Sequence, residues 1–214
     1  PEEAVILCAH FDAMPGGHMA APGADDNGSG CAAVLEAARL FRDIEFAYTV
    51  VFAFWDEEEQ GLVGSRHYAA GMAANDAVIR GVVNMDMIAY DGNGDTKARI
   101  HVRPIASSSE LADSLFAVRS HYDIGLDLVR TDPGAGYSDH ASFWNEGYGA
   151  ILVMEEFGAD GNPFYHTPND RISHFDVSYY EKLAKLSVAT VATVAEPVGV
   201  VQGIGATELS FMLQ

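Results

Sequence analysis

The sequence predicts an α/β domain in three layers: a mostly parallel central sheet with helices on both faces. Three observations carry that prediction. Continuous apolar runs without alternation at Ala4 to Ala9, Tyr48 to Trp55 and Gly81 to Met87 have the pattern of strands buried on both faces. Segments with helical spacing lie between such runs, and no internal repeat, linker or compositional break interrupts the 214 residues. The chain therefore reads as one domain spanning residues 1–214, long enough to hold a core without disulfides.

Taken in order, the first strand ends at His10-Phe11-Asp12, and a Gly/Pro/Ala-rich loop from Ala13 to Asn27 follows. Cys31 to Phe41 places Val34, Leu35, Ala38 and Phe41 on a helical face, with Asp26, Asn27 or Ser29 available as its cap. The second strand delivers four consecutive carboxylates, Asp56 to Glu59, and a helix is expected from about Gly61 to Met72. The third strand carries Asp86 near its end, and Ala98 to Arg103 is a further strand candidate. Ser109 to His121 reads as an amphipathic helix and Leu126 to Arg130 as a short strand. A short helix is expected from Ser138 or Asp139 to Gly147. Ala150 to Met154 is read as the last strand, Glu155 to Phe175 as an unusually long loop, and Asp176 to Ala195 as the final helix.

Composition narrows the function. Thirty-one acidic against twelve basic residues give a formal charge of −19, which repels a phosphate backbone and disfavours nucleic acid as a partner. No run of about 18 apolar residues exists to span a membrane. Cys8 and Cys31 lack the spacing of a zinc finger or redox pair and read as small buried hydrophobes. The start at Pro1-Glu2-Glu3 looks like that of a mature or excised fragment.

In an open parallel sheet ligands sit beyond the carboxyl ends of the strands, which puts His10, Glu58, Glu59 and Asp86 on one rim. Four adjacent negative charges at a strand end repel one another, and a bound cation would relieve that repulsion. In the extended segment His10-x-Asp12 the two side chains share a face, so Asp12 can accept a hydrogen bond from the imidazole and orient it as a ligand.

Six ordered motifs then carry a resemblance. His10-x-Asp12, Gly23-Ala-Asp-Asp-Asn-Gly-Ser-Gly30, Glu58-Glu59-x-Gly-Leu-x-Gly-Ser65, Asn84-x-Asp86, Ser138-Asp139-His140 and Tyr165-His166-Thr167 resemble the signature of the M28 family of co-catalytic zinc exopeptidases, the leucyl aminopeptidases among them. The resemblance implies a zinc-exopeptidase sandwich of the phosphorylase/hydrolase-like kind and two Zn2+ ions per chain. Asp25 would bridge the ions, His10 and Asp86 would complete one site, and Glu59 and His166 the other. It further implies a cis peptide between Asp25 and Asp26, Glu58 as general base, and Tyr165 as donor to the tetrahedral oxyanion. Asp139 lies near the site by motif, with a simple helix cap as the competing reading. Family domains carry further elements ahead of the His-x-Asp strand, so the resemblance also implies that part of that N-terminal segment is missing here.

The resemblance implies release of the N-terminal residue from a peptide or small amino-acid derivative, by a secreted or periplasmic protein. A carboxypeptidase would need a basic cluster, and Arg66, Arg130 and Arg171 do not form one. A glutaminyl cyclase, with a single zinc, and a non-catalytic binding module of the same fold also compete with the aminopeptidase reading. Leu152, Met154 and Phe164 are candidates for the first side-chain pocket, against plain core packing. Glu155 and Glu156 would favour a basic first residue if they faced that pocket, or would otherwise form a solvated loop.

Overall fold

The computed structural model describes residues 3–14, 21–158 and 160–200. The apolar runs become strands β1 (Glu3–His10), β3 (Thr49–Trp55), β4 (Val78–Met85) and β7 (Ala150–Glu155), all mutually parallel. Strand β5 (Lys97–His101) joins β7 antiparallel and β6 (Asp127–Thr131) follows β5 in parallel, so the sheet order is β3-β1-β4-β7-β5-β6. β2 (Ile44–Phe46) and β8 (Pro197–Val200) form a separate two-stranded antiparallel ribbon. Ala150 to Met154 is therefore not the last strand: after α5 (Val177–Ala195), Pro197 ends the helix and begins β8. Residues 201–214, within the tail that matches none of the six motifs, lie outside the described residues.

The two sheet faces are buried by different helices. α1 (Gly30–Phe41), α3 (Ser108–His121) and α5 cover one face, where Val34, Leu115, Leu183 and Leu186 pack against Leu7, Val83 and Ile151. α2 (Val63–Ala74) and α4 (His140–Asn145) cover the other, where Ala69, Phe143 and Trp144 meet Ile6, Cys8, Trp55 and Val82. Each large side chain fully buried in this way contributes roughly 1.5–3 kcal/mol of transfer free energy. Trp55 is held by Tyr68 and Phe143, with ring centroids at 5.0 and 5.9 Å, which fixes the strand end that carries the acidic run. Among the described residues no helix is long and apolar enough to cross a membrane.

Several boundaries follow from local chemistry. Gly61 belongs to a turn in which its amide and that of Leu62 both donate to Glu58 O, so α2 starts two residues later than the sequence suggests. The entry to α1 is a π-helical turn, Ala24–Ser29, with Asp26 and Asn27 off helical geometry. Of the three candidate caps, Asn27 fills the role: its Oδ1 accepts the Gly30 amide at 3.1 Å. Gly23 begins this turn at φ 67°, where an added Cβ would lie 2.7 Å from Asp26 O.

Candidate metal centre and cleft

The site is built from the ends of β1, β3 and β4, the turn before α1, and the segment after β7. His10 is the last residue of β1. Its Nδ1 lies 3.1 Å from Asp12 O and 3.4 Å from Asp12 Oδ1, which places the ring proton on Nδ1 and leaves Nε2 facing inward. There Nε2 meets Asp26 Oδ1 at 3.2 Å and Asp86 Oδ1 at 3.4 Å. A second convergence lies beside it: His166 Nε2 is 3.0 Å from both Asp26 Oδ2 and Glu59 Oε2. Within each trio, His10/Asp26/Asp86 and Asp26/Glu59/His166, the ligand atoms lie within 4.8 Å of one another.

Asp26, not Asp25, is thus the carboxylate shared by the two sets, and the cis peptide lies one bond later than expected, between Asp26 and Asn27. Asp25 points the other way. Its Oδ1 accepts the Ala89 amide at 3.0 Å and its Oδ2 accepts Asn162 Nδ2 at 2.8 Å, so both oxygens are occupied in fastening neighbouring segments. Glu155 stands beside it, buried, with its pKa raised well above the usual carboxyl range by burial and by the charge of Asp25. Glu155 Oε2 accepts the Tyr90 amide at 2.8 Å.

The residues fit divalent cations on the structure's own terms. Asp26 Oδ2 and Glu59 Oε1 are buried and make no hydrogen bond among the described residues, although Asp26 Oδ2 lies 3.0 Å from an imidazole nitrogen. Acceptor atoms that converge without a proton between them need a cation there. Imidazole nitrogens with carboxylate oxygens are the donor set zinc takes. Without metal, protons are the substitute. Burial opposes charge on His10, yet the carboxylates of Asp86, Asp12 and Asp26 outweigh it and hold its pKa far above the usual value. Burial likewise acts to raise Asp26, but its two imidazole neighbours hold it down at about 2.

Glu58 lines the cleft without belonging to either trio. Its carboxyl is pushed up to about 9, first by burial and then by Asp86, Asp139 and Glu59. Asp12 fixes the turn that presents it: Oδ1 and Oδ2 accept the amides of Glu58 and Glu59 at 3.1 and 3.2 Å. The side chain of Asp12 therefore holds the acidic turn more closely than it holds the imidazole. Asp139 is fully buried and pushed up to about 7 by burial, against the opposing effects of Ser65 and His10. It makes no capping bond to α4, so the helix-cap reading of it does not hold. His140, from the same motif, donates from Nε2 to Ala135 O at 2.8 Å and steadies the loop before Tyr137.

The cleft is a cavity of about 290 Å3 with two unlike walls. Asp26, Glu58, Glu59, Asp86 and His166 form the polar one; Met87, Tyr137, Met154, Phe157 and Tyr165 form the other. Of the three pocket candidates only Met154 lines it. Leu152 is fully buried and clusters with Met87 and Met154, and Phe164 stacks on His174 at 3.6 Å. Glu155 and Glu156 are neither solvated nor in the cleft, since Glu156 is buried and pairs with Arg99 at 2.8 Å. Met87, Tyr137 and Phe157 are wall residues that sequence reasoning missed; only Met87, directly after Asp86, carried a positional hint. Met87 and His166 both adopt left-handed backbone, φ 53° and 55°, a conformation that costs a non-glycine residue of order 1 kcal/mol and is retained where surrounding structure imposes it. Tyr165 stacks on His166 at 3.6 Å and meets Phe157 edge-on at 5.0 Å.

The three-layer α/β fold thus carries two carboxylate–histidine trios that share one aspartate beside the carboxyl ends of its parallel strands, a donor set suited to metal ions. The sequence matches the model of Peptidase family M28 over residues 1–191, and the chain belongs to that family. A probable leucine aminopeptidase of Arthroderma benhamiae is 30% identical over 197 residues, which cover 87% of this chain and 52% of that protein. The LapA aminopeptidase of Legionella pneumophila is similar in structure, with a TM-score of 0.80 and 30% identity over 92% of this chain and 51% of that one. BSAP, a zinc aminopeptidase from Bacillus subtilis, shares the fold at a TM-score of 0.77 and 23% identity, covering 92% of this chain and 47% of its own. The chain thus spans about half the length of the relatives it matches.

Proposed function

We propose that this protein is a metal-dependent aminopeptidase whose centre takes two zinc ions, with Asp26 shared between them, His10 and Asp86 completing one site and Glu59 and His166 the other. The observation that carries the reading is the pair of trios meeting at Asp26 with buried oxygens that no donor satisfies. When bound, the ions would activate a water and polarise the scissile carbonyl.

The remaining work falls to the chain's own residues. Glu58, poised in the cleft beside but outside the ligand sets, takes the proton of the attacking water and returns it to the departing amine. The Tyr165 hydroxyl, held by its stack on His166, is the donor for the oxyanion. The acidic wall suits a free α-amine, and the wall of Met87, Met154 and Phe157 suits an apolar first side chain. A carboxypeptidase is disfavoured because no Lys or Arg lines the cleft; Arg66 and Arg171 are exposed to solvent elsewhere and Arg130 pairs with Asp113.

Hydrolysis of leucine p-nitroanilide with and without a chelator tests the reading, using the wild type and Glu58→Gln. Chelator-sensitive activity, lost by about 10^2-fold or more in a Glu58→Gln variant that still binds zinc, supports the assignment. A variant at near-full rate refutes the role of Glu58, and activity indifferent to the chelator refutes the metal.

A further inference from the structure

We propose that Asp170 is the positioning residue that couples the two halves of the centre, an inference that rests on the two-metal reading. Asp170 is 2% exposed and its carboxylate is fully engaged: Oδ1 accepts the amide of Asp25 at 2.9 Å and Oδ2 the amide of Asp26 at 3.1 Å. Its carbonyl accepts the amide of Ala24, and its own amide donates to Thr167 O. Asp170 lies four residues after His166. One carboxylate therefore fastens the segment that supplies the last ligand of one trio to the backbone of the aspartate that both trios share.

Two consecutive amides pointing the same way make a concave anion seat, and both oxygens of a carboxylate fill it. An asparagine offers one acceptor oxygen and sets an NH2 against the other amide. Asp26 serves both trios, so both feel the loss of the clamp, but unequally, because the remaining ligands of the two differ in what else holds them. His10 ends β1 and Asp86 directly follows β4, two strands paired with each other, so they keep their places without Asp170. His166 follows β7 by more than ten residues and has no strand to hold it.

The test titrates chelator-stripped wild type, Asp170→Asn and Asp170→Glu with Zn2+ by calorimetry and with Co2+ by absorption. Wild type is expected to bind two equivalents. Asp170→Asn should keep the tighter one within about threefold and bind the second about 10- to 100-fold more weakly. Asp170→Glu, with both acceptors retained, should recover part of that loss. Tyr179→Phe removes the hydrogen bond to Lys97 O, at 2.6 Å, which involves no candidate ligand; it serves as a control for destabilisation alone and should leave the second equivalent unchanged. Equal weakening of both equivalents, wild-type affinity for both in Asp170→Asn, no recovery in Asp170→Glu, or the same selective loss in Tyr179→Phe overturns the proposal. A wild type that binds fewer than two equivalents overturns the two-metal reading itself, and this inference with it.

Discussion

Asp12 and Glu58 are joined side chain to backbone: the Glu58 amide donates to Asp12 Oδ1 at 3.1 Å. The neighbouring oxygen takes the Glu59 amide, and the Asp12 carbonyl faces the imidazole of His10. One residue thereby sets the position of a ligand candidate from each trio, His10 and Glu59, and of the candidate base Glu58. Asp12→Ala is expected to lower metal affinity by about 10- to 100-fold, with Asp12→Asn intermediate because it keeps one acceptor oxygen. Competition against a chromogenic chelator measures both, and wild-type affinity in Asp12→Ala would remove Asp12 from the site.

Stability of the metal-free protein should fall as pH rises from about 5 to 9. Glu58 is pushed up to about 9, Glu59 and Asp139 to about 7 and Asp25 to about 6, each first by burial. In that window the folded chain holds protons that the unfolded chain has released, so stability present in acid is lost on the way up. His10, also raised, acts with the same sign. Asp26, held at about 2, acts oppositely and only in strong acid, where its contribution is lost as pH falls through that value. Melting temperatures in chelator should decline accordingly, and Asp139→Asn should flatten the part below about pH 7. A melting temperature that climbs between pH 5 and 8 contradicts this ordering.

Zinc should reverse the trend above about pH 6, because its ligands bind only when deprotonated. The gap between melting temperatures with and without zinc should therefore widen with pH. A gap that narrows between pH 6 and 8 counts against carboxylate and imidazole ligation.

Tyr137 should tune affinity for the first side chain. Ala135 N donates to His101 Nδ1 at 3.2 Å, which leaves the proton on Nε2 to donate to the Tyr137 oxygen at 3.3 Å; the Tyr137 hydroxyl in turn donates to Met154 Sδ. Burial holds the His101 pKa down at about 4, so the ring stays neutral. Tyr137→Phe leaves a half-buried N–H without its partner, at about 1 kcal/mol. Steady-state kinetics on leucyl anilide should show KM raised roughly fivefold with kcat changed less. A fall in kcat with KM unmoved would place Tyr137 in the chemistry instead.

Phe143→Ala should cost about 3–5 kcal/mol, since Phe143 is fully buried between Trp55 and Tyr68 and leaves a cavity. Urea unfolding measures it, and a loss below about 1 kcal/mol would mean that the layer under α4 is loosely packed.

The fold was legible because a strand buried on both faces must be apolar at nearly every position, as β1, β4 and β7 are; β3 is as apolar, but it is the edge strand and only half-buried along most of its length, so the expectation that it is buried on both faces does not hold. β2 and β8, three and four residues long, are too short to carry a pattern. The site was legible as a set of residue types on one rim. The choice between Asp25 and Asp26 was not, because adjacent identical side chains are equivalent in sequence and only the course of the turn decides which faces the imidazoles. Glu155 and Glu156 read as solvated because charge suggests water, whereas the Tyr90 amide on Glu155 and the Arg99 guanidinium on Glu156 allow burial. Nothing in the sequence marks out Asp170, since a clamp on two backbone amides has no sequence signature.

The two trios also differ in where their members fall along the chain. His10, Asp26 and Asp86 lie within the first 86 residues, on a β1-α1-β3-α2-β4 unit whose parallel strands are direct neighbours. The other trio waits for His166, and its clamp for Asp170. A domain is made on the ribosome from its N-terminus but generally folds as a unit. The candidate ligands of the His10 seat are thus all translated while the other seat still lacks His166, but the Asp170 clamp on Asp26 comes only with the second seat, so neither seat is fastened until the segment after β7 has been made.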